Sequence, residues 1–207
     1  MKIKQLPLGP LGTNGYIIST GSQALIIDPG GEPEKIHSYI TDEGLKPMAI
    51  LLTHAHFDHI GGLEAIRQDY HIDVYIHERE KEWLMDPKLN GSSRFMFGEI
   101  TAKPADKIIR IGKHEHGPFK FEIIHTPGHS PGSVTFIFEE EQFMISGDVL
   151  FQNGIGRTDL PGGDIKTLEN SIRNQLYHMP SDMIVYPGHG DRTTIGHEKQ
   201  FNPFFRE

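Results

Sequence analysis

"LLTHAHFDHIGG", residues 51–62, places His54, His56, Asp58 and His59 within six consecutive positions, directly after an apolar run. The run Ala49–Thr53 predicts a strand that delivers the chain to His54. In extended backbone, residues two apart share a side, so His54 and His56 can converge on one ion. Asp58 and His59 fall at the start of a predicted helix over His59–Asp69, in which Ile60, Leu63 and Ile66 keep helical spacing. There the chain changes direction, and these two side chains can face a second point a short way off. Imidazole and carboxylate are the ligands preferred by zinc and several other divalent ions. A His-rich surface turn is the alternative, but nothing in the composition accounts for such clustering. The pattern also differs from the helical H-E-x-x-H arrangement, because it demands a turn.

The same grammar recurs further along. In "IIHTPGHSPGS", residues 123–133, Pro127, Gly128, Pro131 and Gly132 make a sharp loop around His129 after a predicted strand. By itself this is a tight turn with an exposed histidine; beside the first motif it is a candidate ligand. In "MISGDVLF", residues 144–151, an apolar strand ends at Gly147 and Asp148. A carboxylate there is placed to bridge two cations, or to serve as a turn residue or helix N-cap. In "IVYPGHG", residues 184–190, strand, Pro-Gly and His189 follow once more. The chain has 13 histidines. The eight other than His54, His56, His59, His129 and His189 (His37, His71, His77, His114, His116, His125, His178 and His197) are assigned surface or packing roles, with His114 and His116 in a solvated loop.

The 207 residues suit one domain, or at most two small ones, and 36% hydrophobic with 23% charged residues is ordinary globular composition. A formal net charge of −8 argues against a broad phosphate-binding surface, so no nucleic-acid partner is expected. With no cysteine, any metal must be held by His, Asp or Glu. The N-terminus lacks the long apolar stretch of a signal peptide, and no apolar run approaches the ~20 residues that span a bilayer. No membrane association is expected, and the cytoplasm is the default compartment.

Short apolar runs bounded by Gly, Pro, Asn or Asp predict further strands at Lys2–Leu8, Tyr16–Ser19, Ala24–Asp28, Val74–His77, Ile108–Ile111, Phe119–His125, Val134–Phe138, Gln142–Ser146 and Met183–Tyr186. "STGSQ" and "EEEQ" are hairpin connections. Helices are predicted at Glu32–Glu43, stopping at Gly44, and at Glu78–Met85, Leu168–Leu176 and His197–Phe201. Strands that lead directly into helices, mixed with hairpins, predict an α/β chain of packed sheets with helices outside.

The order H-x-H-x-D-H, then H, then D, then H resembles the metallo-β-lactamase superfamily, and the resemblance spans nearly the whole chain, including "LIIDPGG" at residues 25–31. It implies an αββα sandwich of two mixed sheets flanked by helices, formed by residues 1–207 as a single domain. It implies one metal held by His54, His56 and His129, a second by Asp58, His59 and His189, and Asp148 between them. Asp58 and Asp148 would orient the metal-bound hydroxide, and Asp28 would brace the ligand loops from behind. The cofactors implied are two divalent ions, zinc first, with iron or manganese as alternatives. The fold hosts many reactions, so the substrate needs other signals. "SGDVLFQNGIGRTDLPGGD", residues 146–164, and "YPGHGDRTTIGHEKQFNPF", residues 186–204, are similar to short glyoxalase II-like hydrolases. That likeness implies hydrolysis of small hydroxyacyl thioesters of the S-lactoylglutathione kind. Full-length glyoxalase II has a C-terminal helical domain contacting glutathione. No counterpart is expected here, which leaves the thiol carrier open.

Three further positions carry two readings each. Arg157 in "GRTD" binds a substrate carboxylate or pairs with Asp159. Asn14 in "GTNGY" faces the site or forms a turn. Phe95, Met96 and Phe97 line an acyl pocket or pack an edge. A competing activity is that of persulfide dioxygenases, which share "GRTD" and use one iron at positions matching His54, His129 and Asp148, although "PGHG" follows the hydrolase style. A lactonase or β-lactamase of the same fold is a further alternative.

Overall fold

A computed structural model of the chain describes residues 1–95 and 98–207. Met96 and Phe97 therefore lie outside the described residues. The chain divides into two compact units, Met1–Ile109 and Arg110–Glu207.

The first unit is built on β1 (Lys2–Leu8), β2 (Thr13–Thr20), β3 (Gln23–Ile27), α1 (Pro33–Asp42), β4 (Lys46–Leu51), α2 (Phe57–Ile60), α3 (Leu63–Tyr70), β5 (Asp73–Ile76) and β6 (Lys107–Ile108). The strands lie in sequence order across one sheet. β1, β2 and β3 form an antiparallel meander, with "STGSQ" as its second hairpin, and β4, β5 and β6 add in parallel. Parallel neighbours need crossovers; α1 joins β3 to β4, and α2 with α3 joins β4 to β5. Ile36 and Ile40 of α1 and Leu63 and Ile66 of α3 bury their apolar stripes with Ile17, Ile26, Ile50 and Val74 of the sheet. α1 opens on Pro33 and stops before Gly44, whose φ of +62° suits a residue without Cβ.

The second unit holds β7 (Gly112–His116), β8 (Phe119–His125), β9 (Val134–Phe138), β10 (Phe143–Gly147), β11 (Leu150–Phe151), β12 (Gly154–Ile155), α4 (Ile165–Asn174), β13 (Ile184–Pro187), β14 (Thr193–Thr194) and α5 (Ile195–Phe201). Its main sheet runs β14-β13-β10-β9-β8-β7, with β10 and β13 parallel and the remaining pairs antiparallel. Leu168 and Ile172 of α4 and Ile195 of α5 pack with Ile137, Met144 and Val185. The architecture is thus the expected α/β class, two mixed sheets with flanking helices. Among the described residues, the outer edges of the two six-stranded sheets are blunt: β6 and β14 have two residues each, β1 carries Lys2, Lys4 and Pro7, and β7 reads GKHEH.

Several predicted elements are corrected. The helix expected over His59–Asp69 is two pieces, α2 and α3, broken at Gly61-Gly62. The Gly62 N–H donates to the Pro29 carbonyl at 2.8 Å, and a Cβ on Gly61 would lie 2.4 Å from the Gly30 carbonyl oxygen. β4 ends at Leu51 rather than Thr53, because the Thr53 N–H leaves the ladder to bond Asp28. The helix expected over Glu78–Met85 is two 3-10 turns, Glu78–Glu80 and Trp83–Met85, which bury Glu80, Trp83 and Leu84. His114 and His116 are not in a loop. They belong to β7, where Lys113 faces Glu122, Glu115 faces Lys120, and His114 stacks on Phe121 at 5.7 Å. Alternating charge there marks an edge strand rather than a turn. No helix among the described residues is long and apolar enough to cross a membrane.

Candidate metal centre

The ligand-type side chains fall into one group in each unit. In the first unit, His54, His56 and His59 have side chains almost wholly withdrawn from solvent. Their rings crowd together, with centroids 4.8 Å apart for His54 and His56 and 4.1 Å for His54 and His59. His59 Nε2 lies 3.6 Å from Asp58 Oδ2, and the Thr13 hydroxyl donates to that same oxygen at 2.7 Å. The loop holding Asp58 is seated by glycines. A Cβ on Gly30 would come within 2.0 Å of the Asp58 carbonyl oxygen, so residues 29–31 approach the ligand loop as bare backbone.

Asp28 lies beneath this group, buried and in the left-handed region with φ of 49°. It accepts the Thr53 N–H at 2.8 Å, the Thr53 hydroxyl at 2.6 Å and His59 Nδ1 at 2.9 Å. Since the Thr53 hydroxyl proton goes to Asp28, its oxygen accepts from His54 Nδ1 at 3.0 Å. Both histidines are thereby set as Nδ1–H tautomers with the Nε2 lone pair available to a metal. Such assignments follow from the hydrogen-bond network.

In the second unit, His129 Nδ1 donates to the Arg157 carbonyl at 2.7 Å, which fixes the same tautomer. His129 Nε2 lies 3.6 Å, and His189 Nε2 3.5 Å, from Asp148 Oδ2. The sheet makes this possible. β10 and β13 run parallel, their register slips at Gly147, and the Gly188 N–H donates to the Gly147 carbonyl at 2.8 Å, so His189 arrives beside Asp148. Gly156 backs both ligands; a Cβ there would lie 1.9 Å from the Asp148 carbonyl oxygen and 3.1 Å from the His129 Cβ. α4 holds the His129 loop through Asp164 N–H to Gly128 O at 2.8 Å and Ser171 Oγ to Pro127 O at 2.7 Å.

Arg157 lies against Asp159. Its guanidinium binds Asp159 through two hydrogen bonds of 2.7 Å, which holds its pKa above the usual arginine value. Both side chains are more than half exposed, so the pair adds little stability. Asn14 is a buried residue of β2, not a turn former, and its side-chain oxygen accepts from Gln5 at 2.9 Å. Phe95 packs on Phe57 with ring centroids 4.8 Å apart. Sequence reasoning missed Thr13, Thr53 and Glu80. Glu80 is fully buried and accepts the Ala55 N–H, between His54 and His56, at 2.6 Å. Thr53 could have been found from its place before His54, whereas nothing in the local sequence marks Glu80.

The residues fit divalent metal ions. The donors are imidazole and carboxylate only, and three imidazoles have Nδ1 engaged, which leaves Nε2 as their coordinating nitrogen. Two ligands of one zinc at about 2.1 Å in tetrahedral geometry sit about 3.4 Å apart, close to the 3.5 and 3.6 Å spacings around Asp148 and the 3.6 Å between His59 and Asp58.

Comparison with known proteins agrees. The chain belongs to the metallo-beta-lactamase superfamily, whose pattern matches residues 8–189. It is 51% identical over 205 residues to the probable metallo-hydrolase YqgX of Bacillus subtilis, covering 99% of this chain and 97% of that protein. It is 38% identical to the hydroxyacylglutathione hydrolase GloC of Haemophilus influenzae, covering 99% and 98%. Among solved structures, the BLEG-1 B3 metallo-beta-lactamase matches with a TM-score of 0.97 at 50% identity over 100% of both chains. TTHA1623 in a di-iron-bound form matches with a TM-score of 0.87 at 39% identity, over 98% of this chain and 100% of that one. The family and the His/Asp groups together imply an enzyme that uses divalent metal ions.

Proposed function

We propose that the protein is a binuclear metal-dependent hydrolase of small hydroxyacyl thioesters. In this reading His54, His56 and His129 hold one ion, Asp58, His59 and His189 hold the other, and Asp148 serves both. The observation that carries it is the matched set of imidazoles, with His54, His59 and His129 each anchored through Nδ1 and presenting Nε2. The likeness to GloC supports a thioester as the substrate. When bound, two such ions ionise a shared water near neutral pH and polarise the substrate carbonyl. The chain's part is to fix the donors before substrate arrives. Asp28 and the Arg157 carbonyl hold the rings, Thr13 orients Asp58, and the glycines at 30 and 156 bring backbone up behind the carboxylates. A departing thiolate needs little proton donation, so no acid beyond these groups is required. The metal is zinc in the first instance; the likeness to a di-iron protein supports iron as its alternative. A small thioester acted on in the cytoplasm, with no nucleic acid or membrane as partner, completes the reading.

The likeness to BLEG-1 favours a second activity, opening of a β-lactam ring by the same metal-and-water chemistry. Protein of measured metal content, assayed against S-lactoylglutathione, coenzyme A thioesters and a chromogenic cephalosporin, separates the two. Thioester turnover at least about 100-fold above β-lactam turnover is expected. His54→Ala and Asp148→Ala should lower thioester turnover by about 10²-fold or more together with bound metal. Full turnover in these variants at normal metal content would remove the proposed mechanism.

A further inference from the structure

We infer that a cavity beside Asp58 receives the acyl chain of the substrate and selects a neutral aliphatic one; this rests on the thioesterase reading above. The cavity measures about 370 Å³, within the range of small-molecule pockets. Its apolar walls are Leu8, Pro10, Phe57 and Ile100, and the proposed ligand Asp58 is among its lining residues, which puts it next to the proposed metal centre. Its floor is backbone. At Gly30 and Gly61, which line it, an added Cβ would collide with main-chain atoms at 2.0 and 2.4 Å, so the two loops that border it pack backbone on backbone.

The rim is fixed rather than loose. The Gly9 N–H donates to Glu32 Oε2 at 2.9 Å, and the Gly12 N–H closes a turn on the Gly9 carbonyl at 3.2 Å. Among the described lining residues, the charged groups are Glu32 and Asp58, both acidic. Glu32 keeps its charge at neutral pH, because Lys35 at 2.7 Å and the Gly9 N–H hold its carboxyl below the usual carboxylate range. Glu32 is paired with Lys35 and Asp58 is a proposed metal ligand, so selection rests on the apolar walls, which favour an alkyl or hydroxyalkyl chain. They oppose one that ends in a carboxylate.

The test uses metal-loaded protein and acetyl, butyryl, hexanoyl, octanoyl and succinyl thioesters of one thiol. In the unaltered protein kcat/KM should rise about threefold per added methylene up to hexanoyl. The succinyl ester should fall about tenfold below the butyryl ester. Ile100 is the wall to alter, because its backbone is held by the side chains of Asn90 and Ser92 while its side chain is replaceable. Ile100→Trp should lower the hexanoyl-to-acetyl ratio about tenfold. Ile100→Ala, the milder change should the tryptophan disturb folding, should raise the octanoyl-to-hexanoyl ratio about threefold. Cleavage of every ester at one rate, or ratios untouched in both variants, overturns the acyl assignment while thioesterase activity stands. An unaltered protein that cleaves no thioester at full metal content overturns the thioesterase reading and the assignment together.

Discussion

Asp28 shows how one side chain can govern a site without touching a metal. Its carboxylate accepts a hydrogen bond directly from His59 Nδ1 and commits the Thr53 hydroxyl, whose oxygen in turn accepts from His54 Nδ1. Two rings are therefore set by one buried anion held at a positive φ. Asp28→Asn suits the same backbone, because asparagine also tolerates the left-handed region, but its NH₂ replaces one of the acceptors. Metal affinity should fall about 10- to 100-fold, measured by competition with a chromophoric chelator, while far-UV circular dichroism stays as it was. Unchanged affinity would show that the ring orientations are set elsewhere. "LIIDPGG" makes Asp28 noticeable in the sequence. Glu80 is not noticeable, because its importance depends on burial against Ala55, 25 positions back, and tertiary packing alone creates that contact.

Elements were legible where they are continuous and apolar, and obscure where they break or are polar. β1, β8 and β9 follow the predicted limits, because uninterrupted runs with turn residues on each side admit few other choices. The break between α2 and α3 lies where two loops meet through their main chains, and periodicity carries no trace of it. Gly61→Ala would force a Cβ to 2.4 Å from the Gly30 oxygen. It should cost about 1–3 kcal/mol in denaturant melts and displace α2, which carries Asp58 and His59, with loss of bound metal. A variant with full stability and full metal would show that the two loops part easily. α4 starts earlier than its apolar pattern because Asp164 caps it, accepting the Thr167 N–H at 2.7 Å. The Thr167 hydroxyl and N–H hold the Asp164 carboxyl below its ordinary pKa. Its stabilising effect is therefore complete above the unfolded value near pH 4 and disappears as pH falls through the lower folded value. Asp164→Ala should lower Tm at pH 7, and the gap to the unaltered protein should narrow as pH falls below about 4. A gap that persists at low pH would mean that the cap acts without its charge.

For the whole molecule, folding and metal loading are coupled. An ion that binds only folded chain adds about 2.7 kcal/mol when its concentration is 100 times Kd. For a chain of this length that corresponds to about 5–10 °C in Tm. Chelator should lower Tm by that amount, and added zinc should restore it; a Tm indifferent to chelator would count against the proposed ion pair. The α/β class and the seven candidate ligands could be read in advance because both depend on strand ends, which apolar runs mark clearly. The supporting contacts depend on loops meeting far along the chain, and these no local pattern announces.

The blunt margins of both sheets matter for how such a protein behaves once stripped. Two-residue outer strands, a proline and a row of lysines, histidines and glutamates leave little backbone for a second molecule to zip onto. The demetallated form should accordingly stay dispersed in solution, so that inactivity after chelation reports missing coordination chemistry rather than precipitate.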